Sequence, residues 1–129
     1  MAKLKNLSIN GIDVTDFIIE GGVSGGWTYR KWNSGILECW FSDIYTFPVG
    51  TSSGSGIEGI GLQSTDIPLP SEISFTNKPC CTGSVDWYFC EWITCSFHDN
   101  SIQVRVYCNG NSANTTDKFI DIHCIGRWK

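Results

Sequence analysis

Between Trp27 and Trp40 the chain reads WTYRKW, then NSG, then ILECW, two aromatic-rich runs either side of a three-residue connection that ends in glycine. Glycine suits the left-handed position that closes a type I turn with a bulge, so the segment predicts a tight antiparallel hairpin. Pairing Trp32 with Ile36 across the turn sets Arg30 opposite Glu38, an ion pair that fixes register with about 0.2–1 kcal/mol. A slip of one residue would substitute Lys31. Alternation puts Trp27, Tyr29 and Lys31 on one face and Thr28, Arg30 and Trp32 on the other. Rings on both faces call for two covers, since a ribbon ordinarily leaves one face wet. The second sheet of a sandwich supplies one. The expectation for the other is a neighbouring copy of the chain, the alternative being one bulky core that absorbs every ring.

The rest of the chain agrees with an all-β fold. Helical periodicity is nearly absent, and short runs rich in Val, Ile, Phe, Tyr, Trp and Thr recur between clusters of Gly, Asn, Asp, Ser and Pro. Strands are expected at 17–20, 27–32, 36–42, 72–76, 85–92, 93–97, 102–108 and 119–128. The runs VGTSSGSGIEGIG (49–61) and NGNSANTTD (109–117) read as loops. The expected architecture is a single antiparallel β-sandwich, jelly-roll-like, over residues 21–129. Residues 1–20 then serve as a connecting segment or first strand.

A length of 129 residues suits one core. The net charge of -4 and the scattered Lys and Arg residues exclude the basic patch that displaces counterions from a phosphate backbone, so nucleic acid is not an expected partner. No run approaches the apolar length of a membrane span, and Met1 to Asp16 lacks the apolar stretch of a secretion signal. Synthesis in a cytoplasm without a signal peptide, and no membrane insertion, are the expectations. The seven cysteines are an odd count without an exported context, which argues against a disulfide framework. Cys108 continues the Ile102, Val104, Val106 alternation and Cys124 the Ile120, Ile122 alternation, so both read as small core hydrophobes. A zinc site from Cys90, Cys95 and His98, or from His123 and Cys124, is disfavoured: there is no C-x-x-C pair, and Cys90 and Cys95 differ in parity. No metal or cofactor is expected.

Catalytic arrangements are equally thin. Glu38, Glu58, Asp66, Asp86, Glu91 and Asp99 could flank a glycosidic bond in principle, but most sit in turns or on polar faces. His98 adjoins Asp99 and His123 alternates with Asp121, yet neither lies near a nucleophile elbow. The glycine-rich stretch lacks the lysine of a phosphate loop. The sequons at Asn6 and Asn114 carry little weight in a chain without an export signal. Binding is better supported. Indole and phenol rings offer flat apolar faces with a polar handle suited to sugars, and loops on a rigid β scaffold commonly carry recognition. The contact candidates are Trp92, Asn109, Asn111, Asn114 and Thr115, with core packing the competing role for Trp92.

The hairpin also resembles a motif of tail-fibre and minor structural proteins from phages and prophages of Gram-positive and gut bacteria. The matching residues are Trp27, Tyr29, Arg30, Lys31, Trp32, Ser34, Gly35, Glu38, Cys39 and Trp40. The stretch Ile125-Gly126-Arg127-Trp128-Lys129 is similar to the terminus of many of those proteins, and Pro68-Leu69-Pro70 with Ile73-Ser74-Phe75-Thr76 to their central region. The resemblance covers residues 21–129. It implies a non-enzymatic β-sandwich head at the tip of a fibre, a virion location, a homotrimer, contacts with other tail or baseplate proteins, and a bacterial surface polysaccharide or cell-wall glycan as receptor. A purely structural fibre or baseplate module and a glycan-cleaving depolymerase are the alternatives. Family members are commonly longer ahead of the motif than the twenty or so residues here.

Overall fold

A computed structural model of the protein describes residues 8–13, 16–49, 54–109 and 116–129. Among these there is no helix. A short hairpin, β1 (Ser8–Ile9) and β2 (Ile12–Asp13), precedes eight longer strands. They are β3 (Ile18–Ser24), β4 (Trp27–Trp32), β5 (Ile36–Thr46), β6 (Ile60–Pro68), β7 (Cys80–Asp86), β8 (Cys90–His98), β9 (Ser101–Asn109) and β10 (Asp117–Arg127). They form a five-stranded sheet in the order β3-β4-β5-β10-β7 and a three-stranded sheet in the order β6-β9-β8, and every pairing is antiparallel. The two sheets pack face to face as an antiparallel β-sandwich.

Turn chemistry sets these pairings. Asn10-Gly11, Gly25-Gly26 and Asp99-Asn100 each join two strands with positive φ at both turn residues, the mirror-image turn whose twist matches a hairpin. The central hairpin closes as its sequence requires. Gly35 has φ 98°, its amide donates to the Trp32 carbonyl at 3.0 Å, and Arg30 pairs with Glu38.

The core is the sum of the alternations. Trp27 and Tyr29 of β4, Leu37, Cys39 and Phe41 of β5, and Ile120, Ile122 and Cys124 of β10 face Ile102, Val104 and Val106 of β9 and Ile67 of β6. The Trp27 indole is fully buried, packs against Phe41 with ring centroids 5.4 Å apart, and donates to the Pro68 carbonyl at 3.0 Å. One side chain thereby joins the two sheets. Phe17, Phe47, Leu69 and Ile73 close the core from outside the strands.

Four expectations change. The stretch 72–76 is not a strand: Ile73 and Phe75 cap the core from an irregular segment that follows Pro68-Leu69-Pro70, a sequence poor in ladder donors. The expected strand 85–92 is split by a turn in which the Cys90 amide donates to the Trp87 carbonyl, so β7 begins earlier, at Cys80. The strand β6 starts inside the glycine-rich run that reads as loop. Finally, the strand expected at 17–20 is β3, which runs on through Gly21 and Gly22 to the Gly25-Gly26 turn, with Phe17 buried just ahead of it.

Candidate functional site

The motif residues divide between the two faces of the five-stranded sheet, as alternation requires. Trp27, Tyr29 and Cys39 are buried between the sheets, on the side of the ribbon that the second sheet covers. Lys31 reaches sideways to Glu20 at 2.8 Å. On the outer face Arg30, Trp32, Glu38 and Trp40 form a connected group. The Trp32 indole donates to Glu38 Oε1 at 2.6 Å, the Arg30 guanidinium lies 3.5 Å from the same carboxylate, and His123 approaches its other oxygen at 3.7 Å. Arg30 also stacks over Trp40, 4.8 Å from its centroid. A carboxylate beside a guanidinium, with an indole N–H donated to it, is held in place, and the rings that flank it are half-covered from within the chain.

The two segments that carry the family resemblance touch each other. Arg127 donates to the Ser34 carbonyl at 2.8 Å, the Trp128 amide donates to Gly35 at 2.9 Å, and the Trp128 indole donates to Trp32 at 2.9 Å. Lys31 and Lys129 lie over the Trp128 ring at 5.8 and 5.0 Å. Gly35 is favoured by its positive φ, and a Cβ there would displace the Arg127 guanidinium from its contact with the turn. The motif thus clasps the turn of the hairpin to the end of β10.

Beyond the motif, the outer face of the same sheet carries Val23, Ile44, Phe119 and Ile125, all exposed. Ile44 lies directly across from Phe119 in the β5–β10 register. The Ile44–Phe119 pair is separated by the Ser42–Asp121 row from the row of Val23, Trp40 and His123, and Ile125 lies opposite Glu38, so the exposed apolar side chains are spread around the Arg30–Glu38–His123 group.

A second aromatic surface lies on the outer face of the three-stranded sheet. Trp92 and Tyr107 are cross-strand partners whose rings stack with centroids 4.7 Å apart and an interplanar angle of 13°. Leu62 flanks Tyr107 on β6, and one step along the strands Thr94, Arg105 and Ser64 form a polar row. Trp92 is 41% exposed, so the competing assignment to the core does not hold. Asn109 stands exposed at the end of β9, opposite Ile60. At the nearby β7–β8 turn Tyr88 is 92% exposed and packs edge-on against Phe89. Asn111, Asn114 and Thr115 lie outside the described residues.

Tyr107, Leu62 and Arg105 were not among the sequence-derived contact candidates. The signal for Tyr107 and Arg105 was present, since the core alternation of 102, 104, 106 and 108 turns the odd positions outward. For Leu62 it was not, because β6 was hidden behind glycines.

Among the described residues no group of three His, Cys, Asp or Glu side chains is arranged to hold a metal ion. Cys90 and Cys95 nevertheless share a face, although their numbering differs in parity. A bulge between Cys90 and Trp92 brings Cys90 opposite Cys108, so Cys90 and Cys95 both turn inward. His98 and Asp99 form an exposed pair at 3.1 Å in the β8–β9 turn. Among the described residues the most perturbed cation is Lys118, which occupies a core-facing position of β10 and is 2% exposed. Its ammonium lies 4.1 Å from the Trp87 centroid and 5.0 Å from that of Phe47, and donates to the Thr116 carbonyl at 3.3 Å. Burial pulls its pKa down to about 8.

No family model matches the chain, and no curated protein or solved structure matches it either.

Proposed function

We propose that this chain is a non-catalytic recognition head of a bacteriophage tail, displaying an aromatic platform to a bacterial surface glycan and assembling with copies of itself. The stacked Trp92–Tyr107 pair carries this reading. A ring pair left in water at 41% exposure on Trp92 forgoes burial that a core position would give, and the polar row of Thr94, Arg105 and Ser64 beside it offers donors and acceptors to hydroxyl groups. The virion setting rests on the resemblance of the hairpin and of the 125–129 segment to tail-fibre proteins. Self-association rests on the exposed Val23, Ile44, Phe119 and Ile125 of the five-stranded sheet, apolar side chains that a neighbouring copy would cover.

Glycan-array binding tests the recognition role. The chain is expected to bind a bacterial polysaccharide, and Trp92→Ala to lose at least tenfold in affinity while unfolding at nearly the wild-type temperature. Unchanged binding by the variant would remove the platform from the reading. Light scattering tests the assembly: a trimer mass is expected, with Ile44→Asp returning it to a protomer. A second reading is a structural fibre module without a receptor. It is favoured by the way Trp32, Gly35, Arg127 and Trp128 are engaged with one another inside the chain, and an array with no bound glycan beside an intact trimer would select it.

A further inference from the structure

Six of the seven cysteines face the interior, and strand register sorts them. Cys39, Cys124 and Cys81 lie directly opposite one another across β5, β10 and β7, and Cys90 lies opposite Cys108 across β8 and β9. Cys95 enters the core from β8, and Cys80 is exposed. Directly opposed residues of antiparallel strands have Cα atoms about 4.5 or 5.5 Å apart. A disulfide accepts about 4.4–6.8 Å, so closing a bridge in these positions asks for side-chain rotation and little backbone movement.

We propose that Cys81–Cys124 and Cys90–Cys108 are disulfide sites, which close when the folded domain passes into oxidising surroundings and leave Cys39, Cys80 and Cys95 as thiols. Cys124 has a neighbour on each side but can bond only one. Cys39 is completely buried on an inner strand, whereas Cys81 is half-buried on β7, the edge of its sheet. The second pair repeats the pattern. Cys90 is half-buried on the edge strand β8, and Cys108 is sealed on β9. In each pair an oxidant meets the edge thiol first and the inner thiol resolves the product.

The oxidant is a low-molecular-weight aliphatic disulfide. The Cys81 thiolate attacks one of its sulfurs, the small S–S bond breaks, and one small thiolate leaves. The Cys124 thiolate then attacks the Cys81 sulfur of the mixed disulfide and expels the second small thiolate. The two protons lost by the cysteines end on the two small thiols, so two protein thiols are oxidised and one small disulfide is reduced. Cys90 and Cys108 follow the same steps. The hydrogen bond with Cys124, together with burial, holds the Cys81 thiol above the ordinary range. Cys124 is raised first by its hydrogen bond with Cys39 and then by burial, the bond with Cys81 acting the other way, and burial raises Cys90 and Cys108 as well. Thiolate is therefore scarce at neutral pH, and bridging accelerates as pH rises. Each bridge would tie an edge strand to its inner neighbour, one in each sheet, on the side of the sandwich where β7 and β8 are joined.

The test uses the full chain carrying Cys80→Ser, incubated with oxidised glutathione at mildly alkaline pH. The expected result is an intact mass lower by four hydrogen atoms, a peptide map with the two named linkages, and an unfolding temperature raised by about 10 °C over the reduced protein. Adding Cys39→Ala should leave both linkages in place, and adding Cys124→Ala should leave Cys90–Cys108 alone. A Cys39–Cys124 or Cys81–Cys95 linkage, stable glutathione adducts, or folded protein that keeps its full complement of hydrogens would each overturn the proposal.

Discussion

Replacing Lys118 with Met should make the protein more stable at neutral pH, and the size of the gain should depend on pH in a way that identifies its cause. The Lys118 ammonium is sealed among Phe47, Trp87 and the Thr116 carbonyl, and its pKa falls from 10.5 to about 8. Each pKa unit corresponds to about 1.4 kcal/mol, so holding the charge in the folded chain costs about 3 kcal/mol. The folded pKa lies below the unfolded one. Below pH 8 both states carry the charge and the whole cost is present. Between about 8 and 10.5 the folded chain gives up the proton while the unfolded chain keeps it, and the cost disappears. Methionine fills nearly the same volume without a charge. Thermal unfolding followed by tryptophan fluorescence, under reductant, should therefore place Lys118→Met above wild type by about 10 °C at pH 7, taking about 4 °C per kcal/mol for a chain of this length. The gap should close as pH approaches 10. The raised thiols act in the opposite sense, since the unfolded chain ionises first and stability falls above their ordinary range. Cys81, Cys95 and Cys124 cancel in the difference, whereas Cys90 and Cys108 lose the lowering effect of the Lys118 charge in the variant, so the comparison is read below the ordinary thiol range and the closing of the gap above it. A gap that stays constant with pH, or a variant less stable than wild type at pH 7, would refute the reasoning.

Other perturbations follow from the same geometry. Trp27→Ala leaves a void between the sheets and frees the Pro68 carbonyl, and should cost about 3–5 kcal/mol in urea unfolding. A loss under 1 kcal/mol would place the core elsewhere. Gly35→Ala meets both a positive φ and the Arg127 guanidinium, and should lower stability by about 1–3 kcal/mol; pairing it with Arg127→Ala should recover part of the loss. Asn100→Gly in the β8–β9 turn, where φ is 59°, should raise stability by a few tenths of a kcal/mol up to about 1, measured by chemical denaturation.

Much of the sandwich was legible because local chemistry agreed with tertiary placement. The hairpin from Trp27 to Trp40, its turn and its Arg30–Glu38 register could be read from alternation and one glycine, and they stand as read. The alternations ending at Cys108 and Cys124 likewise marked core faces. The sequence misled where one signal had two causes. Glycine usually marks a loop, but Gly21 and Gly22 lie within β3, and Gly61 lies inward on β6 opposite Cys108, where no side chain is needed to complete the pairing. The run Glu72 to Thr76 has strand composition but follows two prolines, and its apolar residues cap the core instead of pairing. At the candidate site, Trp92 turns outward by alternation with Ile93, Cys95 and Phe97, while the inward position of Cys90 depended on the bulge at Glu91, which a count of residues does not show. The contact between the two motif segments depended on the β5–β10 register, which brings Arg127 level with Ile36.

The position of β10 governs how such a chain can be made. It is the latest of the described strands in sequence, yet it lies between β5 and β7 and carries the longest ladder among the described residues. While a ribosome is still adding residues before 117, β5 and β7 each present an open row of amides and carbonyls with nothing to bond them. Until that strand emerges, the nascent polypeptide is a template for pairing with its neighbours. Crowded synthesis should therefore favour aggregation, and chaperones that hold unfinished chains should have their largest effect on yield during this interval.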